Sequence, residues 1–122
     1  MSDMTLDQRL EAIESGYEFS LAYAAQGRTD DAGSQIRATL ERMHAALEGL
    51  APQVEAAVPV DSAASSRRFL DAVKQDAAVA QGAIGLVLGS AKIGSLLVDN
   101  LNATIHLRAL LTDLFLIDQA RR

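Results

Sequence analysis

Apolar residues recur along this chain at steps of three and four, the period of helices buried along one face. In the first stretch Leu6, Leu10, Ile13, Tyr17, Leu21 and Ala24 form one stripe and Phe19 with Tyr23 a second, which predicts a helix touching two neighbours. Thr5 followed by Gln8 has the spacing of a capping box, and Asp7 suits the positive end of the helix dipole. The helix is expected to run to about Gln26. Gly27 supplies its stop, and Thr29, Asp30 and Asp31 are expected to cap the next helix, giving a tight helical hairpin.

The second stretch has the cleanest repeat. Ile36, Leu40, Met43, Leu47, Leu50 and Val54 step by four and three alternately and continue to Ala57, a heptad seam. The seam predicts a long packing at small crossing angle, within one chain or across a dimer. Pro52 lacks an amide proton and should kink or end the helix near Gly49, although the seam continues past it. Pro59 ends the pattern. Residues Val58 to Ser62 read as a connection, with Asp61 or Ser62 capping a third helix that starts near Ala63 and carries Arg67 and Arg68 outward.

That third helix leads into the most distinctive segment, Ala77 to Val98, where only Lys92 is charged. Phe69, Ala72, Val73, Ala80, Ile84, Val87 and Leu88 keep the helical period. Gly82, Gly85, Gly89 and Gly94 oppose it, since each interior glycine costs about 1 kcal/mol relative to alanine. Gly85 and Gly89 have the spacing used where two helices cross closely. The simpler reading, and the one expected, is a helix ending at Gly89 in a left-handed cap, followed by a turn from Ser90 to Ser95. A membrane span is the third reading. Lys92 and Gln81 oppose it, because a lysine near mid-span costs roughly 2.5–3.5 kcal/mol.

Past Gly94 a last helix is expected through Leu97, Leu101, Ile105, Leu111, Leu114 and Ile117 to Arg121 and Arg122, whose charges suit a helix C-terminus. Leu107, Leu110, Phe115 and Leu116 widen its apolar surface beyond one face, which calls for several neighbours or a partner subunit. The expected fold is all-α: one domain over residues 1–122, an antiparallel bundle of about four helices, assembled as a homodimer.

The first hairpin resembles one tetratricopeptide repeat. Tyr23, Gly27 and Ala32 stand at that family's spacing, with Phe19 and Ile36 as apolar substitutes. The resemblance implies a helical hairpin and no more. Gly16 stands where the family has a large aromatic, His44 where it has proline, and no second copy recurs at its period.

Composition narrows the chemistry. The 122 residues suffice for a core without staples, and with aromatics at 4% and no Trp that core must be aliphatic. The absence of Cys excludes disulfides, a cysteine nucleophile, iron–sulfur clusters and thiolate zinc. A net charge of −5 opposes nonspecific nucleic-acid binding. The N-terminal MSDMTLDQRLEA lacks a basic segment followed by an apolar run, so cytoplasmic residence is expected, and the Ala and Arg content suggests a bacterial source.

Candidate chemical groups have simpler explanations. Glu41 and His44 have the Glu-x-x-His spacing of bundle di-iron sites, but Leu40 and Met43 occupy the seam and turn Glu41 outward. His106 lies in a polar stripe with Asp99, Asn102 and Asp113, and the residues after it do not match a phosphate-accepting histidine. A haem held by His44, His106 or a methionine is chemically possible, and nothing requires it. No histidine lies near the serines of DSAASSRR to activate one, and the glycines around Gly85 contain no phosphate-loop signature. The expectation is therefore a noncatalytic protein-interaction module, an adaptor, chaperone or regulator without cofactor or small-molecule substrate. It would self-associate or dock a partner through Gly82, Gly85, Leu86, Gly89, Ile93, Leu97, Leu101, Leu111, Leu114 and Phe115. The alternative is a membrane-associated protein that inserts residues 77–98 into lipid.

Overall fold

The computed structural model describes residues 4–58 and 64–121. Among them every regular element is an α-helix: α1 (Leu6–Ala24), α2 (Ile36–Leu47), α3 (Leu50–Ala57), α4 (Ala64–Leu88), α5 (Ser95–Asn102) and α6 (Ile105–Ala120). The count exceeds the expected four because the second and fourth expected helices are each divided in two. The caps expected at Asp61 or Ser62 lie outside the described residues. No described helix is long and apolar enough to cross a membrane.

The first helix starts as its sequence predicts: Thr5 accepts from the Gln8 amide at 3.1 Å, and Gln8 Oε1 accepts from the Thr5 amide at 2.9 Å. Its buried face differs from the apolar stripe. Leu21 is half in solvent, whereas Tyr23 is 1% exposed, and the inner face is completed by Arg9, Gly16 and Ser20. Helical phase decides this: Arg9, Ile13, Gly16, Ser20 and Tyr23 follow one another at three- and four-residue steps.

The seam residues Ile36, Leu40, Met43, Leu47, Leu50 and Val54 are all buried within the chain itself. Their helix nevertheless breaks after Leu47, where Glu48 is extended and Gly49 takes φ +80°. That left-handed conformation suits glycine, and the chain re-enters a helix with Pro52 in the first turn, where a missing amide proton does no harm. The break exposes the last carbonyls of α2, and Arg9 of α1 covers them. Its guanidinium donates to the carbonyls of Ala45 (3.3 Å), Ala46 (3.1 Å) and Glu48, and its Nε donates to Gln53 Oε1 at 2.8 Å.

Leu70, Val73, Ala77, Ala80, Ile84 and Val87 line the inner face of α4, which packs on α2, α3 and α6. The helix ends at Leu88, and the turn from 89 to 94 lies where it was expected. Gly89 has no positive φ, so the left-handed cap is absent. Arg37 of α2 does the capping, donating to the carbonyls of Leu88 (3.0 Å) and Ser90 (2.9 Å) while pairing with Asp31 at 3.0 Å.

Asp31 therefore has a different role from the expected helix cap. The connection between α1 and α2 spans residues 25–35, and Asp31 ties it to the turn after α4 by accepting from the Ile93 amide at 2.9 Å. That amide, and then Arg37, hold the Asp31 carboxyl below its ordinary range. The stabilisation it contributes is complete above that ordinary range and is lost as pH falls through the lowered value. Ser95 joins the same junction, donating to the Tyr23 carbonyl at 2.7 Å and accepting from the Arg28 amide at 2.8 Å. The Tyr23 hydroxyl reaches the carbonyls of Asp30 and Ile93. Tyr23→Phe removes the donor and should lower stability in chemical denaturation by about 1–2 kcal/mol with helix content unchanged. An unchanged midpoint would show that this junction contributes little.

The last stretch breaks at Ala103 and Thr104, where the Thr104 hydroxyl turns back to the Leu101 carbonyl at 2.8 Å and the residue takes an extended ψ of 139°. The break re-phases the apolar residues. Leu107, Leu110, Leu111, Leu114 and Ile117 become core, while Ile105, on the expected buried stripe, is 76% exposed. All six helices contribute to one apolar cluster.

Candidate association surface

The residues expected to mediate association fall into three groups. Ile93, Leu101, Leu111 and Leu114 are consumed by the chain's own core, and Leu97 is half-buried against it. Leu86, at 79% exposure, and Phe115, at 53%, stand in solvent, as do Gly82 and Gly89. Gly85 faces α2, where an added Cβ would meet His44 Nε2 at 3.5 Å, an ordinary contact. The crossing that does require glycine is elsewhere: a Cβ on Gly16 would lie 2.4 Å from Met43 Cγ.

Among the described residues, the exposed large hydrophobics are Phe19, Leu21, Val79, Leu86, Leu96, Ile105, Phe115 and Leu116, so six of the eight follow Ala77. Val79, Gly82 and Leu86 share the outward face of α4 at steps of three and four, and Gly89 follows in the turn beyond its end. Phe115 and Leu116 lie on α6, Ile105 at its start, and Leu96 on α5. The sequence reading named Leu86 and Phe115 among the association residues. It missed Leu96 and assigned Ile105 inward, because the break at Thr104 shifts the phase.

The polar groups of this half are arranged differently from the expected stripe. Asn102 is buried, and neither its side-chain oxygen nor its nitrogen has a hydrogen-bond partner among the described residues. His106 is on the surface, with Nδ1 3.0 Å from Asp76 Oδ1 across the α4–α6 seam. Burial, and then the neighbouring Asp76 carboxylate, push the Asp113 carboxyl up to about 6. Asp76 carried no sequence signal, since it lies in α4 thirty residues before His106.

Concave features are modest. A crevice of about 100 Å³ between α3 and α4 is lined by Pro52, Glu55, Arg67, Leu70 and Lys74, below the size of a small-molecule site. A wider, open groove runs along Gly16, Phe19, Ala38 and Arg42 between α1 and α2. Among the described residues no group of three His, Asp or Glu side chains is arranged to hold a metal ion. Glu41 points to solvent and His44 is half-buried beside α4. No protein-family model matches this chain, and comparisons with curated proteins and with solved structures find no match.

Proposed function

We propose that this protein is a noncatalytic helical interaction module, a cytoplasmic adaptor, chaperone or regulator, which self-associates as a homodimer through the outward side of its C-terminal half. The observation that carries this reading is the concentration of exposed large side chains after Ala77, with Leu86 and Ile105 more than three-quarters exposed. Isolated surface leucines need no explanation, whereas a helix face carrying Val79 and Leu86 beside the bare Gly82 is shaped for another helix. The core already has its cover, so the association uses the residues the fold leaves outside.

Leu86→Asp is the direct test, with Leu21→Asp on α1 as the control. Wild type and the control are expected to run as dimers in chromatography with light scattering, and Leu86→Asp should weaken dimerisation at least about tenfold, since a carboxylate in an apolar contact costs more than 1.4 kcal/mol. Monomer stability should change by no more than about 0.5 kcal/mol, because Leu86 touches little of its own chain. A wild-type monomer at high concentration refutes the reading. Vesicle flotation that depends on Leu86 would replace it with the membrane-surface alternative.

A further inference from the structure

We infer that α6 pairs with α6 of a second copy, antiparallel about a two-fold axis at Thr112, and that this pairing is the centre of the dimer. The inference rests on the association reading above and says which helix meets its copy. Leu107, Leu110, Leu111, Leu114 and Ile117 already fill the core from one side of α6. The opposite side carries Ile105, Ala109, Thr112 and Leu116 at steps of four, three and four, the repeat of a helix seam, with Arg108 and Phe115 along one edge. Ile105 is 76%, Leu116 59% and Phe115 53% exposed, so this second seam is apolar and uncovered. No carboxylate lies on it: α6 holds only Asp113 and Asp118, both half-buried away from this side, and Asp118 pairs with Arg121.

Size and charge select the occupant. Ile105, Arg108, Ala109 and Thr112 line a shallow open depression. An antiparallel copy turned about Thr112 sets each residue opposite the one equally far beyond position 112. Ala109 then faces Phe115 of the second copy, whose ring enters the depression, a large side chain against a small one. Arg108 faces Leu116 of that copy, its stem along the leucine and its guanidinium over the same Phe115 ring. Thr112 faces itself, and its hydroxyl already donates to the Arg108 carbonyl at 3.0 Å, so no unpaired donor is enclosed on the axis. A parallel copy sets Arg108 against Arg108 and Ala109 against Ala109, placing like charges together and leaving a gap at the alanines. The seam therefore complements itself in one direction only. Because α6 packs chiefly on α4, the exposed Val79 and Leu86 of α4 extend the contact.

The chain has no cysteine, so introduced cysteines report the pairing directly. Antiparallel helices bring Ile105 beside Gln119 of the second copy and hold the two Ile105 residues about 21 Å apart along the axis. Ile105→Cys mixed with Gln119→Cys is expected to crosslink through a short bismaleimide into a mixed dimer, and Ile105→Cys by itself to crosslink little. Phe115→Ala should weaken dimerisation at least about tenfold in sedimentation, with helix content unchanged because the side chain stands outside the core. A dimer disrupted by Leu86→Asp but not by Phe115→Ala, or Ile105→Cys crosslinking to itself as readily as in the mixture, overturns this pairing and leaves the association reading standing. A wild-type monomer overturns both.

Discussion

Gly16→Val is expected to lower stability by about 3 kcal/mol and the melting temperature by about 10 °C. The reason is contact distance. A Cβ at position 16 would sit 2.4 Å from Met43 Cγ and 2.6 Å from its Sδ, separations that non-bonded carbon and sulfur do not tolerate. Met43 cannot simply swing away, since it is 1% exposed within the apolar core. Either α1 and α2 separate, opening voids along the seam, or Met43 leaves its rotamer at the expense of its neighbours. Replacing glycine within a helix returns at most about 1 kcal/mol, less for β-branched valine, so the steric effect wins.

Two companions make this specific to the crossing. Gly82→Ala, where an added Cβ meets nothing within 4 Å, should be neutral or stabilising by up to about 1 kcal/mol. Gly16→Val combined with Met43→Ala should be less destabilised than the sum of the single changes, by about 1 kcal/mol or more. Denaturant midpoints of wild type, the three single variants and the double variant measure these effects. Strict additivity, or a harmless valine at position 16, would show that the helices have room to spare.

Arg9→Met should be nearly as damaging, at about 3 kcal/mol. Methionine keeps the aliphatic length and removes every donor, leaving the carbonyls of Ala45, Ala46 and Glu48 uncovered where α2 stops. Each carbonyl that lacks a donor away from water costs about 1–3 kcal/mol, and solvent reaching the opened end offsets part of it. Arg9 bonds here to neutral oxygens, and its positive charge also suits the negative end of α2. Arg9→Lys should therefore fall between wild type and Arg9→Met, because one ammonium keeps the charge but cannot span the same set of acceptors. Amide exchange should accelerate around residues 45–54 in Arg9→Met before it does elsewhere. Full stability in Arg9→Met would demote the guanidinium to a passive surface group.

These two positions also mark how far the sequence is legible. Leu10 and Ile13 were found as core by periodicity, while Arg9, Gly16 and Ser20 on the same helical face were not, because a hydrophobicity pattern passes over polar and small residues. A helical wheel drawn through Ile13 and Tyr23 contains all three. Its arginine among carbonyls and its glycine against methionine become intelligible only when α2 is in place. On the proposed association surface Leu86 and Phe115 were legible as apolar residues. Whether they were spare depended on how much of the C-terminal half the core consumed.

By itself, the sequence determined the helical class, the Thr5–Gln8 start of α1, the seam from Ile36 to Val54 and the turn after Leu88. Spacing, capping chemistry and glycine placement act over a few residues, so they are readable without the rest of the chain. Tertiary structure decided the breaks at Gly49 and Thr104, which arginine caps which helix end, and which leucines remain in solvent. It also brought Asp76 to His106, thirty residues away. Those outcomes depend on which distant groups meet. A helix end is tolerable only when a donor from another helix covers it, and a side chain is inside only when something else has closed over it.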